Sequence, residues 1–150
     1  MITKYRHLIL WSIIALFTLT TGCAVSSDQL LLKAVYDNKV EAVNRYIKEG
    51  EDINQSDGRG YTALMIATYY NFYSVADSLL KGGADINAQS NDGWTALMLA
   101  TCNKNIRMVK LLLQYNPDVS IADNDGQTAL SHAAILKLKV ISDLIEKHKS

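Results

Sequence analysis

The side chains with the chemistry for catalysis are few and far apart in this sequence. Of three histidines, His7 lies near the N-terminus, His132 lies in a predicted helix, and His148 lies in a polar C-terminal stretch. A nucleophile needs a base within hydrogen-bond reach, and neither a nucleophile nor a group of metal ligands stands at a suitable spacing from His132. The nucleophile elbow, the phosphate-binding loop and the H-E-x-x-H zinc motif do not occur in the sequence. We therefore predict a protein that is not an enzyme and needs no cofactor or metal.

Two other kinds of reactive side chain have structural interpretations. Asp52, Asp85 and Asp118 recur at one constant interval along the sequence, which identifies them as turn residues rather than a catalytic pair. Cys102 lies late in a predicted helix, where we expect a half-buried, unreactive thiol; oxidation of that thiol is the alternative. An enzyme with an unrecognised site is a separate alternative, and hydrolytic activity lost in His132→Ala would support it.

Composition narrows the class of protein. The chain has 150 residues, with 15 basic and 15 acidic residues, 49% hydrophobic residues, one proline and two cysteines. Zero net charge argues against nucleic-acid binding, the hydrophobic content excludes a disordered chain, and two cysteines exclude a disulfide-rich scaffold. The length suits one domain with a substantial core.

Residues 1–22 differ from the rest of the chain. Lys4 and Arg6 give a basic start, residues 8–19 are almost wholly apolar, and Gly22 precedes Cys23. A basic start, a short apolar run and a small-residue site are typical of a secretory signal. Twelve helical residues span about 18 Å, which is too short for a hydrocarbon core of about 30 Å. A transmembrane anchor is therefore the weaker interpretation.

The residues around Cys23 resemble a bacterial lipobox, although Thr20 stands where leucine is usual. The resemblance implies that Cys23 is lipidated and becomes the N-terminus of the mature chain. An ordinary cleaved signal with an incidental cysteine is the alternative. Ala24 after the cysteine is similar to the outer-membrane sorting type of enteric bacteria.

This resemblance predicts a location. We expect a signal peptide at residues 1–22, a short tether at residues 23–27, and a lipid anchor that holds the protein at the outer membrane, facing the periplasm. Removal of the signal takes away two basic residues and leaves 13 basic and 15 acidic residues, a net charge of −2. The mature sequence has no polybasic stretch, so the lipid alone would provide the anchoring.

The remaining sequence repeats with a constant period. The positions of Gly60, Gly93 and Gly126 differ by 33, and a threonine, a leucine and an alanine follow each glycine by two, four and seven residues. A strict period in this range is typical of stacked-repeat proteins. Each glycine allows a turn with positive φ, each threonine can cap a helix, and apolar side chains follow at helical spacing. Ile106 to Leu113 is predicted to form a second helix.

The repeat resembles the ankyrin repeat. The stretch DGWTAL at residues 92–97 is similar to the D-G-x-T-P-L start of that family, and GADINA at residues 83–88 is similar to its G-A-D-V-N-A end. The resemblance implies an all-α solenoid, over residues 28–150, of helix-turn-helix units with short hairpin-like turns. Atypical first and last units predict capping repeats and a monomer. We expect about four units, at about 24–56, 57–89, 90–122 and 123–150.

One position between the two helices of each repeat calls for a left-handed backbone. The family has glycine there, and this chain has Asn38, Asn71, Lys104 and Lys137. Asn tolerates a left-handed conformation, and Lys does so less well. Asn116 precedes Pro117, which predicts that Asn116 avoids this conformation and that the junction between the third and fourth units is irregular.

Ankyrin domains usually bind protein targets with the turn tips and the exposed side of the first helices, which form a concave face. Aromatic residues, which are favoured interface anchors, occupy several of those positions here. We predict a protein-binding surface formed by Tyr36, Arg59, Tyr61, Tyr69, Tyr70, Asp92, Trp94 and Asn103. The alternative is that these rings only cover neighbouring repeats. Tyr46 is predicted to lie in the core, and the roles of Phe72 and Tyr73 are left open.

The resemblance implies a non-enzymatic binding protein with a protein partner and no nucleic-acid partner. Some bacterial ankyrin-repeat lipoproteins are immunity proteins that block membrane-attacking effectors, including phospholipases. A small, tethered binder without chemistry is similar to that class, so we predict that the chain neutralises a membrane-acting toxin or lipase. The alternative is a periplasmic scaffold or protector of a resident envelope enzyme, which a neighbouring envelope-enzyme gene would indicate.

Overall fold

The computed structural model describes the backbone of residues 30–149 and the side chains of residues 30–148. Eight helices follow one another in this part of the chain, and no β-strand forms within it. The predicted signal peptide, the tether and Cys23 lie outside the described residues and stay predictions. The helices are α1 (Leu30–Tyr36), α2 (Val40–Glu49), α3 (Ala63–Tyr69), α4 (Tyr73–Lys81), α5 (Ala96–Cys102), α6 (Ile106–Leu113), α7 (Ala129–Ile135) and α8 (Lys139–Lys149).

Threonine caps set the start of the first helix in the last three repeats. Thr62, Thr95 and Thr128 are extended, and each hydroxyl oxygen accepts the backbone N–H of the residue three positions later, at 3.2–3.4 Å. A cap of this kind contributes about 1 kcal/mol, because it satisfies a donor that has no partner within the helix. The predicted caps are confirmed.

A tight turn precedes each threonine cap. The N–H of Asp57 donates to the carbonyl oxygen of Tyr61 at 3.0 Å, and the two later repeats form the equivalent bond at 2.9 Å. Gly93 sits in the third repeat's turn with a φ of 80°, and a Cβ there would lie 2.8 Å from the backbone nitrogen of Asn124. Glycine is therefore required both by the backbone conformation and by the neighbouring turn.

The repeats stack into two layers of helices over one apolar core. The first helices α1, α3, α5 and α7 pack in sequence, while α2 packs on α4 and α6 packs on α8. Backbone bonds also join successive turn tips: Asn91 N–H donates to Arg59 O at 3.0 Å, and Asn124 N–H donates to Asp92 O at 3.1 Å. Among the helices described, none combines the length and hydrophobicity needed to cross a bilayer.

The loop aspartates hold local turns, as the sequence predicted. Asp52 Oδ1 accepts the N–H of Asn54 at 2.9 Å, and Asp85 makes the equivalent bond at the same distance. Asp118 accepts both the N–H and the hydroxyl of Ser120, and these bonds lower the pKa of its carboxyl. Their recurrence therefore reflects turn geometry rather than catalysis.

The left-handed positions follow the prediction in four places and contradict it in one. Asn38, Asn71, Lys104 and Lys137 have φ between 53° and 61°. The prediction for Asn116 is wrong, because its φ is 52° and matches the positive φ of Gly83 one repeat earlier. After glycine, Asn is the residue that best tolerates this conformation.

Pro117 has a different effect at the same junction. Ala84, which holds the equivalent position one repeat earlier, donates its N–H to Leu79 O at 3.0 Å, whereas proline has no N–H to donate. The junction keeps its left-handed turn and lacks one hydrogen bond.

Candidate functional site

Three tyrosines lie at the C-terminal ends of the first helices in repeats one and two. Tyr36 ends α1, Tyr69 ends α3, and Tyr70 follows directly. Because α1 and α3 pack side by side, the three rings come together although a whole repeat separates Tyr36 from the other two in the sequence. These three tyrosines are 40%, 51% and 49% exposed, so they are not buried in the core and remain accessible to a partner.

The rings contact one another in a continuous row. Tyr36 meets Tyr70 edge to face, with centroids 6.1 Å apart, and Tyr69 meets Tyr70 in the same way at 5.1 Å. Phe72 stacks under Tyr70 at 5.6 Å and is half-buried against the core. Each such pair adds about 0.5–1.5 kcal/mol beyond its area burial. The rings are therefore held in place before a partner arrives, which lowers the cost of ordering them on binding.

The turn tip of the second repeat packs against one side of this row of rings, where Asp57 contacts Tyr36. Asp57 Oδ1 accepts the backbone N–H groups of Arg59 and Tyr61, at 2.9 and 3.0 Å. Asp57 Oδ2 accepts from Arg59 Nη2 and from the Tyr36 hydroxyl, both at 3.1 Å. The Arg59 guanidinium also lies over the Tyr61 ring, 4.9 Å from its centroid. Asp57 therefore positions both the arginine and the first tyrosine.

Electrostatics fix the protonation of this tip. Burial alone would raise the pKa of Asp57, but the N–H groups of Tyr61 and Arg59 and the hydrogen bonds from the Arg59 and Tyr36 side chains outweigh burial, and the pKa lies below its ordinary value. Burial and the hydrogen bond to Asp57 raise the pKa of Tyr36. At neutral pH the tip therefore holds an ionised carboxylate, a cationic guanidinium and a neutral phenol.

These residues surround a cavity of about 160 Å³. Its walls offer aromatic faces for an apolar side chain, while the hydroxyls and the remaining guanidinium N–H groups can donate hydrogen bonds. This combination suits the binding of a protein side chain better than it suits a chemical reaction. We call it the tyrosine surface, formed by Tyr36, Arg59, Tyr61, Ile66, Tyr69 and Tyr70.

The other three predicted binding residues lie outside this cavity. The Asn103 amide donates to the backbone oxygen of Tyr69 at 2.9 Å and so joins α5 to α3. Trp94 is half-buried, packs on the core, and contacts the His132 ring with centroids 4.8 Å apart. Asp92 is exposed at the next turn tip. The structure thus gathers five of the eight predicted residues at one place.

The family model described as ankyrin repeats matches the sequence in three copies, over residues 13–90, 30–123 and 73–150. The chain belongs to the ankyrin-repeat family. A search of curated protein sequences finds no match to it. Ankyrin repeats are generally protein-interaction modules without catalytic activity, so this protein has a protein-binding role.

A second aspartate-centred tip lies in the fourth repeat of this ankyrin-repeat protein. Asp123 accepts the N–H groups of Asp125 and Gln127, and its Oδ2 lies 2.7 Å from His132 Nε2. The Asp123 side chain is 2% exposed. Burial alone would raise the pKa of Asp123, but the backbone N–H groups and His132 together lower it. His132 is half-buried and supports this turn through its contact with Asp123.

The one cysteine of the described residues carries no sign of activation in this ankyrin repeat. Cys102 ends α5 and is half-buried. Burial and the Asp123 carboxylate raise the pKa of its thiol, which is the opposite of what a nucleophilic cysteine requires. Within residues 30–148, no group of three or more His, Cys, Asp or Glu side chains could hold a metal ion.

Sequence reasoning missed Asp57 and Asp123, which organise the two tips. A signal was present, because each aspartate stands three residues before a repeat glycine, and the two hold the same position two repeats apart. Ser90 occupies the matching place in the third repeat, where its hydroxyl accepts the Trp94 N–H at 3.2 Å. Short polar side chains at this position accept hydrogen bonds from nearby backbone, as in turns generally.

The remaining aromatic residues play supporting roles. Tyr46 is half-buried against the core and lies beneath Arg45, whose guanidinium is 5.0 Å from the ring centroid. Tyr73 begins α4 and packs under Arg107 in the same manner, at 3.9 Å. Each arginine covers the outer face of its ring. These rings therefore lie outside the tyrosine surface.

Proposed function

We propose that this protein binds a membrane-acting toxin or lipase effector through the tyrosine surface and acts as an immunity protein. In this proposal Cys23 carries a lipid anchor and the repeats face the periplasm from the outer membrane. The protein holds its target by ordinary interface contacts and blocks its action without chemistry of its own.

The observation that carries the proposal is the pre-packed tyrosine row beside the Arg59 tip. Tyrosine and arginine are enriched among the residues that dominate interface energetics. Here the rings are exposed, contact one another and border a cavity that a partner side chain can fill. A preformed site of this kind binds with a small ordering cost, which favours tight and specific binding.

The nature of the target rests on the predicted anchor. The helix α1 begins at Leu30, seven residues after Cys23. Seven residues span at most about 24 Å, so lipidation would hold the first repeat close to the membrane. A binder kept at that place would meet an enzyme that attacks lipid. The resemblance to ankyrin-repeat lipoproteins that act as immunity proteins supports the same target class.

Affinity capture from envelope extract tests the surface. The full chain should retain a partner that Tyr69→Ala/Tyr70→Ala loses, because the loss of two interface anchors of about 2 kcal/mol each weakens binding by roughly 700-fold. The matched control is Ile135→Ala/Leu136→Ala, which truncates the same two positions in the fourth repeat. Retention of the partner by the tyrosine variant would contradict the site.

The captured partner and a protection assay decide the function. A lipase or toxin, together with survival of cells that the tyrosine variant fails to protect, would support immunity. A resident envelope enzyme would instead indicate a protector or scaffold. Metabolic labelling with palmitate, abolished by Cys23→Ser, tests the anchor separately from the binding surface.

A further inference from the structure

A groove with basic residues at its rim lies between the third and fourth repeats, at the opposite end of α5 and α7 from the turn tips. It encloses about 390 Å³, and we call it the lysine groove. Lys104 and Lys137 lie in the turns between the helices of their repeats, and Lys139 begins α8. Ile106 and Val140 also line the groove. Lys104 and Lys137 hold the same position in successive repeats, so the stacking of those repeats brings them together.

The backbone at this groove is strained in a way that the first two repeats avoid. Lys104 and Lys137 both have φ of 56°, in the left-handed region. At the same position the first two repeats have Asn38 and Asn71, residues that adopt this conformation more readily. The repeat imposes this conformation in all four units, so the feature peculiar to the last two is the presence of lysine there. Strained residues are concentrated at functional sites, and an observed outlier is a reason to look for one. Two lysines here thus point to a role for their charge.

The charges of the groove are not neutralised by the protein. Lys33, Lys39 and Lys81 each lie within 4.0 Å of an aspartate. Among the described side chains, no carboxylate lies within that distance of the three groove lysines. Asp143 follows Lys139 by four residues, but the two side chains do not lie within 4.0 Å of each other. The groove therefore presents three cations to an external anion.

Aliphatic side chains are exposed beside these cations. Ile106 is 40% exposed and Val140 is 56% exposed. Ile135 and Leu136 directly precede Lys137 in the sequence and are 65% and 41% exposed, but they do not line the groove. Clustered apolar exposure rimmed by charge marks an interaction site rather than ordinary surface.

We propose that the lysine groove docks the last two repeats on an anionic lipid surface. The lysines would meet lipid phosphates while the aliphatic side chains enter the interface, the arrangement that interfacial membrane-binding elements use. A protein partner is disfavoured, because protein hot spots are rich in Trp, Tyr and Arg and none of these lines the groove. The proposal requires neither lipidation of Cys23 nor use of the tyrosine surface.

Vesicle binding by the full chain tests this docking. The wild type should bind vesicles of phosphatidylglycerol and phosphatidylcholine more tightly than vesicles of phosphatidylcholine alone, and added salt should reduce the difference. Lys104→Asn/Lys137→Asn should weaken binding to the anionic vesicles by roughly 30-fold, at about five-fold per lysine. Asn suits the left-handed backbone, so this variant retains the fold. Hydrogen exchange at residues 135–141 should slow when anionic vesicles are added.

A matched variant controls for net charge. Lys33→Gln/Lys48→Gln removes the same charge from exposed helical positions of the first repeat and should leave the preference unchanged. Residues 1–29 are common to all variants, so only differences between variants are interpreted. Equal loss in both pairs, unchanged binding by the Asn pair, or equal binding to both kinds of vesicle would overturn the proposal. So would cross-linking of an acidic protein at the groove without any preference for anionic vesicles.

Discussion

The tyrosine surface and the lysine groove occupy two ends of one scaffold and expose different chemistry. Tyr69 and Tyr70 of the second repeat hold the same positions as Ile135 and Leu136 of the fourth. The turn that carries Asn71 in the second repeat carries Lys137 in the fourth. The tyrosine surface is therefore aromatic with its charges paired, whereas the lysine groove is aliphatic with its charges unpaired.

This difference separates two kinds of position in the repeat. Capping threonines and turn glycines recur in the last three repeats because the first helix of each of those repeats starts from the same turn. The ends of the first helices and the turns that follow them face outward and change freely. In a stacked-repeat protein, residues at such positions can determine binding specificity without disturbing the packing of the repeats. Variants that separate the two regions test this view.

The largest expected effect comes from Gly60, which lies between Arg59 and Tyr61 of the tyrosine surface. Its φ is 76°, and a Cβ there would lie 2.6 Å from Asn91 Oδ1 and 2.8 Å from Asn91 N. We expect Gly60→Ala to lower the free energy of unfolding by about 3 kcal/mol, because left-handed strain adds to a backbone clash. Urea denaturation measures the loss, and binding of the protein partner should weaken as well.

Gly126→Ala is the control in the fourth repeat. Gly126 has nearly the same φ, 75°, but a Cβ added there would have no atom of the described chain within 4 Å beyond its own neighbours. Only the left-handed strain remains, so we expect a loss of about 1 kcal/mol. Equal losses at the two glycines would show that contact between successive tips does not hold the tyrosine surface in place.

The two aspartate-centred tips should differ in strength. Asp123 is 2% exposed and Asp57 is 18% exposed at the side chain. Hydrogen bonds to a charged group contribute about 1.5–3 kcal/mol when buried, and solvent reduces this. We expect Asp123→Asn to cost about 2 kcal/mol and Asp57→Asn about 1 kcal/mol, measured by urea denaturation at neutral pH. A reversed order would contradict the expectation that the more buried aspartate contributes more to stability.

Acid should remove the contribution of these carboxylates. The pKa values of Asp57 and Asp123 lie below the ordinary value of 3.8 in the folded chain. The unfolded chain therefore takes up protons first as the pH falls, so the stability due to each carboxylate is present above pH 3.8 and is lost as the pH drops through the folded pKa. The difference in unfolding free energy between the wild type and Asp123→Asn should shrink over that window. A difference that stays constant from neutral pH to about pH 2 would argue that shape rather than charge holds this tip.

Local rules explain how much of the fold could be predicted. The threonine caps, the helix Ile106–Leu113 and the positive φ of Gly93 each depend on residues within one repeat. The prediction for Asn116 was wrong because a residue before proline only prefers to avoid the left-handed conformation. The turn that ends the preceding helix requires that conformation at Asn116, and this requirement prevails. The same demand places Gly83 in the left-handed region one repeat earlier.

Contacts between repeats could not be predicted in the same way. The sequence has no polybasic stretch, yet stacking places Lys104 near Lys137 at one groove. Five of the eight predicted binding residues meet at the tyrosine surface, but Asn103 and Trp94 are engaged by Tyr69 and His132 instead. Whether an outward-facing residue contacts the neighbouring repeat depends on distances between the stacked repeats. The sequence period alone does not give those distances.

The smallest expected effect is the most direct test of the lysine groove. Asn is several-fold more frequent than Lys at positive φ, which corresponds to about 0.5–1 kcal/mol, so Lys104→Asn and Lys137→Asn should each raise the free energy of unfolding by that amount. Asn38→Lys should lower it equally, because Asn38 has a φ of 53° and an exposed side chain. Midpoints of urea denaturation resolve shifts of this size. If the lysine variants gain stability and lose affinity for anionic vesicles, the chain keeps two lysines that destabilise its fold, and lipid docking explains why. If they gain none, backbone strain no longer points to the groove, and the case for docking rests on charge and apolar exposure alone.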